Sequence, residues 1–163
     1  VTRLAGIDPN VAAFLDLIGW SEIGPALMAV SDGGYNVLVG STPAKPLLFH
    51  DYSTHPRIHN DAMNSDAAGK PQFLGRYWPY YRDKLNLPDF GPESQEKWAI
   101  AYIGECHALP DILAGNIEQA ITKCGSRWAS FPGNNYQQHQ HTMTDLLNAY
   151  AVARAKYTTG GAA

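Results

Sequence analysis

The stretch Leu17-Ile18-Gly19-Trp20-Ser21-Glu22-Ile23-Gly24 places a carboxyl group where an apolar run is just finishing. A carboxylic acid that keeps its proton in such a place can act as a general acid. A second carboxylate would be needed for many acid–base schemes, and Asp32 and Asp51 are the candidates by position. Five histidines form two groups: His50, His55 and His59 in one loop-rich stretch, and His139 and His141 in "HQH". A zinc site could be drawn from them, but their spacing fits no specific metal motif, so no metal or other cofactor is expected. Cys106 and Cys124 are too few for a disulfide framework, and two free thiols are the reading for a reducing compartment.

These residues must be positioned by elements. Asp8-Pro9 opens a helix, with Asp8 as N-cap and Pro9 at the first helical position. Val11, Phe14, Leu15 and Ile18 fall at helical spacing, and Gly24-Pro25 stops the run. Glu22 therefore lies at a helix C-terminus, where the helix dipole disfavours negative charge and a carboxyl tends to hold its proton. From 30 to 60 turn residues flank short apolar runs, and Asn36–Val39 with Leu47–Phe49 predict a small hairpin or meander. The next stretch, "HNDAMNSDAAGKP", reads as a loop.

The remainder reads as helix. Phe73, Trp78, Tyr81 and Leu85 predict one from about Gln72 to Leu85. "ESQEKWAIAYIGECHAL" predicts another, with Trp98, Ala101 and Tyr102 facing inward. Asn116 is placed to cap a short helix through Cys124. "TMTDLLNAYAVARAKY" predicts the last, with Met143, Leu146, Leu147, Tyr150 and Ala153 as its buried stripe. Trp128 is expected in the core. The layout predicts an α+β fold, with a small β-rich lobe, a larger helical lobe and a cleft between them.

The 163 residues fit a single domain, residues 1–163. With 45% hydrophobic and 17% charged residues, the composition is that of a globular chain able to bury a core. No run is long enough to cross a bilayer, so no membrane partner is expected. A net charge of −3 argues against a nucleic-acid partner but leaves a sugar polymer open. Nine Tyr and four Trp suit both a core and a sugar-binding cleft.

The motifs also carry a resemblance. "AFLDLIGWSE" (13–22), "GYNVLVG" (34–40), "DYSTHPR" (51–57), "QFLGRYW" (72–78), "LNLPDFGPESQ" (85–95) and "WASFPGNNY" (128–136) occur in the order found in lambda-phage-type endolysins. The chain thus resembles that family of lysozyme-like lytic transglycosylases over most of its length. The resemblance implies a lysozyme-like fold and cleavage of the MurNAc–GlcNAc β-1,4 bond of bacterial peptidoglycan. It places the catalytic acid at Glu22 and puts Gln72 and Tyr136 along the substrate cleft.

Two positions depart from the family pattern. Ile23 replaces the glycine that usually follows the catalytic Glu, and Gly69-Lys70-Pro71-Gln72 stands where the family has Gly-Arg-Tyr-Gln. The family manages with one Glu, which donates a proton to the leaving oxygen while the sugar's own C6 hydroxyl attacks C1, giving a 1,6-anhydro end. The alternatives are plain hydrolysis of the same bond and a catalytically weak peptidoglycan-binding module. A monomer is expected. "VTRLAGIDPN" lacks the apolar stretch of a secretory signal, so the resemblance implies a host-cytoplasmic protein that reaches the wall after the membrane is permeabilised.

Overall fold

The computed structural model describes residues 1–132 and 140–158. Among the described residues seven α-helices run in chain order: α1 (Pro9–Glu22), α2 (Pro25–Ala29), α3 (Trp78–Leu85), α4 (Pro92–Glu105), α5 (Leu109–Ala114), α6 (Ile117–Cys124) and α7 (Met143–Ala155). A 3-10 turn at Gly75–Tyr77 precedes α3. The chain forms two compact units, one of Val1–Ser21 with Ala99–Ala163 and one of Glu22–Trp98. Among the described residues, no helix is long and apolar enough to cross a membrane.

The first unit has a core of helices. α1 starts as its sequence predicts: the Asp8 carboxylate accepts the Asn10 N–H at 2.7 Å, and the Asp8 carbonyl accepts that of Ala12 at 2.9 Å. Nine consecutive residues, Val11 to Gly19, are buried, so α1 is covered on every face rather than along one stripe. Phe14 meets Phe131 edge-on at 6.2 Å, and Trp128, buried as expected, packs on Phe131 and Tyr102. Ile103, Ile112, Ile121 and Leu146 complete the apolar centre.

α7 follows the predicted stripe in part. Leu146, Tyr150 and Ala153 are buried, while Met143 and Leu147 are only half-buried. Its N-cap is Thr142, whose hydroxyl oxygen accepts the Asp145 N–H at 3.1 Å. α6 begins where expected, but Asn116 does not cap it with its side chain; its own N–H donates to Asp111 O at 2.8 Å instead. On α4, Ala99 and Ile103 are the fully buried small and branched positions, and Ala101 is only half-buried.

The second unit departs from the predicted β-rich lobe. Among the described residues there are isolated antiparallel bridges and no extended strand. The predicted pairing is in place: Val37 bridges Leu48, Leu38 N–H donates to Leu47 O at 2.9 Å, and Phe49 N–H to Asn36 O at 3.0 Å. A third segment joins from the other side, where Val39 N–H donates to Ala67 O and Gly69 N–H to Val37 O, both at 2.9 Å. The ladder stops after these few rungs because each segment is only three or four residues long between Gly, Pro and Ser turns.

The helix predicted from Gln72 begins later. Gln72 takes a left-handed backbone (φ 52°), and Phe73 bridges Ala68, so the chain turns back on itself before the helix can start at Trp78. Rings fill the core of this unit. Trp98 is stacked on Phe73 at 4.0 Å and on Tyr81 at 5.0 Å, and Phe90 lies against Trp78 and Phe49.

Candidate active site

Glu22 is the last residue of α1 and is half-buried. The turn before it is held firmly. Ser21 donates its hydroxyl to Ser130 Oγ at 2.6 Å in a buried contact. His141 Nε2 lies 3.2 Å from Ser21 O; a carbonyl only accepts, so the proton sits on Nε2. The same imidazole packs on Trp20, ring centres 4.6 Å apart, and His141 N–H donates to Ser130 O at 3.0 Å. The helix end that presents the carboxyl is thus fixed by a ring contact and two hydrogen bonds.

Beyond Glu22 the chain enters the second unit. Gly34, with φ +96°, marks a close approach: a Cβ there would lie 3.3 Å from Met28 Cγ, 3.4 Å from Lys70 Cγ and 3.5 Å from Ile23 Cγ1. The residue after Glu22 and the loop that carries Lys70 and Gln72 therefore meet at one glycine. Ile23 lies at ordinary van der Waals distance from that position, so it is the positive φ of 34, not the Ile23 side chain, that calls for glycine.

The Gly69–Gln72 turn is tightly built. Gln72 N–H donates to Gly69 O at 3.0 Å, and Gln72 Nε2 faces two carbonyls, Gly69 O at 2.9 Å and Val37 O at 3.3 Å. Two acceptors fix the amide orientation, so Oε1 points the other way. Gly69 is also required: any Cβ would run into the Gln95 side chain, whose Oε1 accepts the Lys70 N–H at 2.9 Å. Gln95 Nε2 in turn donates to Tyr35 O at 2.9 Å and Phe90 O at 2.8 Å.

Sequence reasoning missed the buried charges behind this turn. Lys70 is 2% exposed; its ammonium lies 3.4 Å from Tyr35 Oη and 5.0 Å from the centre of that ring. Tyr35 donates its hydroxyl to the buried Glu96 carboxylate. Opposite charges removed from water in this way need partners, and Tyr35 supplies one to each side. The only sequence signal was the lysine in a motif position beside Gly69.

The other expected residues separate cleanly. Asp32 accepts the Tyr52 hydroxyl at 2.8 Å and is half-buried. Asp51 is exposed, and the Ser53 backbone and hydroxyl hold its carboxyl below the usual range. His55 uses both ring nitrogens inside the fold: Nε2 donates to Phe73 O at 2.8 Å, and Nδ1 accepts the Arg57 N–H at 3.0 Å. Burial pushes its pKa down, which keeps it neutral. His50 and His59 are exposed, and no group of three His, Cys, Asp or Glu placed to hold a metal exists among the described residues. Tyr136 and His139 lie outside the described residues.

Comparison with known proteins identifies relatives over most of the chain. The sequence pattern described as Endolysin matches residues 12–157. The endolysin of Escherichia phage P2 is 41% identical over 152 residues, covering 88% of this chain and 92% of the relative. The endolysin of Escherichia phage lambda is 41% identical over 145 residues, covering 86% and 89%. The structure of bacteriophage lambda lysozyme complexed with a chitohexasaccharide superposes with a TM-score of 0.83 at 40% identity, covering 92% of this chain and 97% of that one. A second lambda lysozyme structure gives 0.72 at 36% identity, covering 97% of each. The fold is that of lambda lysozyme, and the chain belongs to the endolysin family.

Proposed function

We propose that this protein is a single catalytic domain that cleaves the MurNAc–GlcNAc β-1,4 bond of peptidoglycan by lytic transglycosylation, with Glu22 as its only acid–base group. The observation that carries the reading is the placement of Glu22: a half-buried carboxyl closing a helix whose final turn is fixed by Ser130 and His141. Family membership and the sugar oligomer bound by the lambda lysozyme supply the substrate class.

Glu22 gives its proton to the glycosidic oxygen as the C1–O bond breaks. The C6 hydroxyl of the same MurNAc forms a bond to C1, and its proton passes to the Glu22 carboxylate. The group is then protonated again and no water is consumed, as microscopic reversibility allows. Gln72 Oε1 is the acceptor for an N-acetyl N–H, because its Nε2 is committed to Val37 O and Gly69 O. Tyr136 is assigned to the substrate cleft on the motif alone.

Hydrolysis of the same bond is the second reading. It is favoured by Asp32, a half-buried carboxylate in the same unit as Glu22, whereas Asp51 is too exposed for the task. Mass spectrometry of digested cell wall decides: 1,6-anhydro-MurNAc ends support transglycosylation, and reducing ends overturn it. Glu22→Gln is expected to fold as the parent does and to lose activity by roughly 10²–10⁴-fold, the range for a general acid. An unchanged rate would remove Glu22 from the chemistry.

A further inference from the structure

Cys106 and Cys124 stand where the glycan chemistry makes no use of them. Cys106 follows α4 directly and is half-exposed; Cys124 ends α6 and is fully buried. Each thiol is the first influence on the other's ionisation. Flanking contacts hold the two segments together on both sides of the pair. Arg127 Nη2 donates to Glu105 Oε2 at 3.0 Å, and Lys123 Nζ donates to His107 O at 3.2 Å and to Asp111 Oδ2 at 2.6 Å. Residues 105 and 107, on either side of Cys106, thus bind 127 and 123, on either side of Cys124. Arg127 N–H and Trp128 N–H both donate to Cys124 O, which fixes the backbone of the buried partner.

The two thiols are also unlike. Cys106 is held well below the ordinary thiol range, first by Cys124 and then, against the cost of burial, by Arg127 and Ser126. Cys124 is held well above it, by Cys106 and by burial. One residue is half-exposed with a thiol prone to ionise; the other is buried with its thiol held protonated.

We propose that Cys106 and Cys124 form a thiol–disulfide exchange site that takes small-molecule disulfides, Cys106 attacking and Cys124 resolving. The Cys106 thiolate attacks one sulfur of the reagent; its S–S bond breaks, and the leaving thiolate takes up the proton that Cys106 lost. Cys124 then gives its proton to solvent and attacks Cys106 Sγ. The mixed disulfide breaks, and the second reagent thiolate leaves and is protonated. Two protein thiols are oxidised and one external disulfide is reduced to two thiols. The resulting crosslink ties the end of α4 to the end of α6 within one unit.

The test uses the folded full chain with oxidised glutathione, followed by intact mass, thiol titration and peptide mapping. The expected product has lost two hydrogens, titrates no free thiol and yields a peptide pair joined through Cys106 and Cys124. Cys124→Ser is expected to stop with one glutathione attached, and Cys106→Ser to react far more slowly than the parent. Accumulation of a glutathione adduct on the parent without closure overturns the proposal, as does equal reactivity of Cys106→Ser. The peptide map of the unmutated chain stands even where the buried Cys124 variant fails to fold. None of these readouts depends on cleavage of any glycan.

Discussion

The two units solve the problem of burial differently. Val1–Ser21 with Ala99–Ala163 rests on apolar contacts, aliphatic at Leu17, Ile18, Ile103, Ile112, Ile121 and Leu146 and aromatic at Phe14, Trp128 and Phe131, all essentially inaccessible. Glu22–Trp98 has few ladder bonds and short helices, and it compensates with stacked rings and with buried polar groups: Lys70, Tyr35, Glu96, Gln95 and His55. Apolar packing is non-directional and tolerates small shifts, whereas a hydrogen-bonded set of buried charges fails as a set. The unit that carries Glu22 and Gln72 is the one held by directional contacts.

The sharpest way to break this contrast is at Lys70. Lys70→Met removes a buried ammonium from beside the Tyr35 hydroxyl that donates to Glu96, and is expected to destabilise by about 1–3 kcal/mol in chemical denaturation. Adding Glu96→Leu should recover much of that loss, because replacing both buried charged groups by apolar ones removes the cost of desolvating them. A double variant no better than the single one would show that shape, not charge, is what these residues provide.

The next effect is a pH dependence confined to the second unit. The folded pKa of His55 is depressed by burial, so the unfolded chain binds more protons below the ordinary histidine pKa of about 6.5. Stability from this residue is fully present above that pH and is lost as pH falls toward the folded pKa. Thermal melts between pH 7.5 and 5 should show the decline, and His55→Gln should flatten it. A parent whose melting point rises on acidification over that range contradicts the burial argument.

The smallest effect belongs to the first unit. Thr142→Ala removes the α7 cap and is expected to cost about 1 kcal/mol. Hydrogen exchange should place that loss in α7, with Tyr35 and Gln95 amides unchanged; a loss spread through 22–98 would contradict the separation of the two units.

Legibility in the sequence follows the same divide. α1 could be read because its start is local chemistry, Asp8 then Pro9, and its apolar spacing extends over several turns. α2 could not, because Gly24-Pro25 ends one helix and equally starts another, with Pro25 at the first position of α2. The pairing of 36–39 with 47–49 was legible as short apolar runs between turn residues, but not how few rungs it would have. The start of α3 was misplaced because nothing local announces a left-handed Gln72. The place of Glu22 at the end of α1 was legible from the Gly24-Pro25 stop that follows it. The burial of Lys70 was not, since lysine is ordinarily at the surface and its partners Tyr35 and Glu96 are distant in the chain.

Enclosure of α1 on all sides makes it a keyed shaft. Each added or deleted residue within Val11–Gly19 would turn Glu22 by about 100° and slide it by about 1.5 Å along the axis. The helix cannot roll back to compensate without exposing what it hides. A change in the length of the shaft is therefore harder to absorb than an exchange of one buried side chain for another of similar volume.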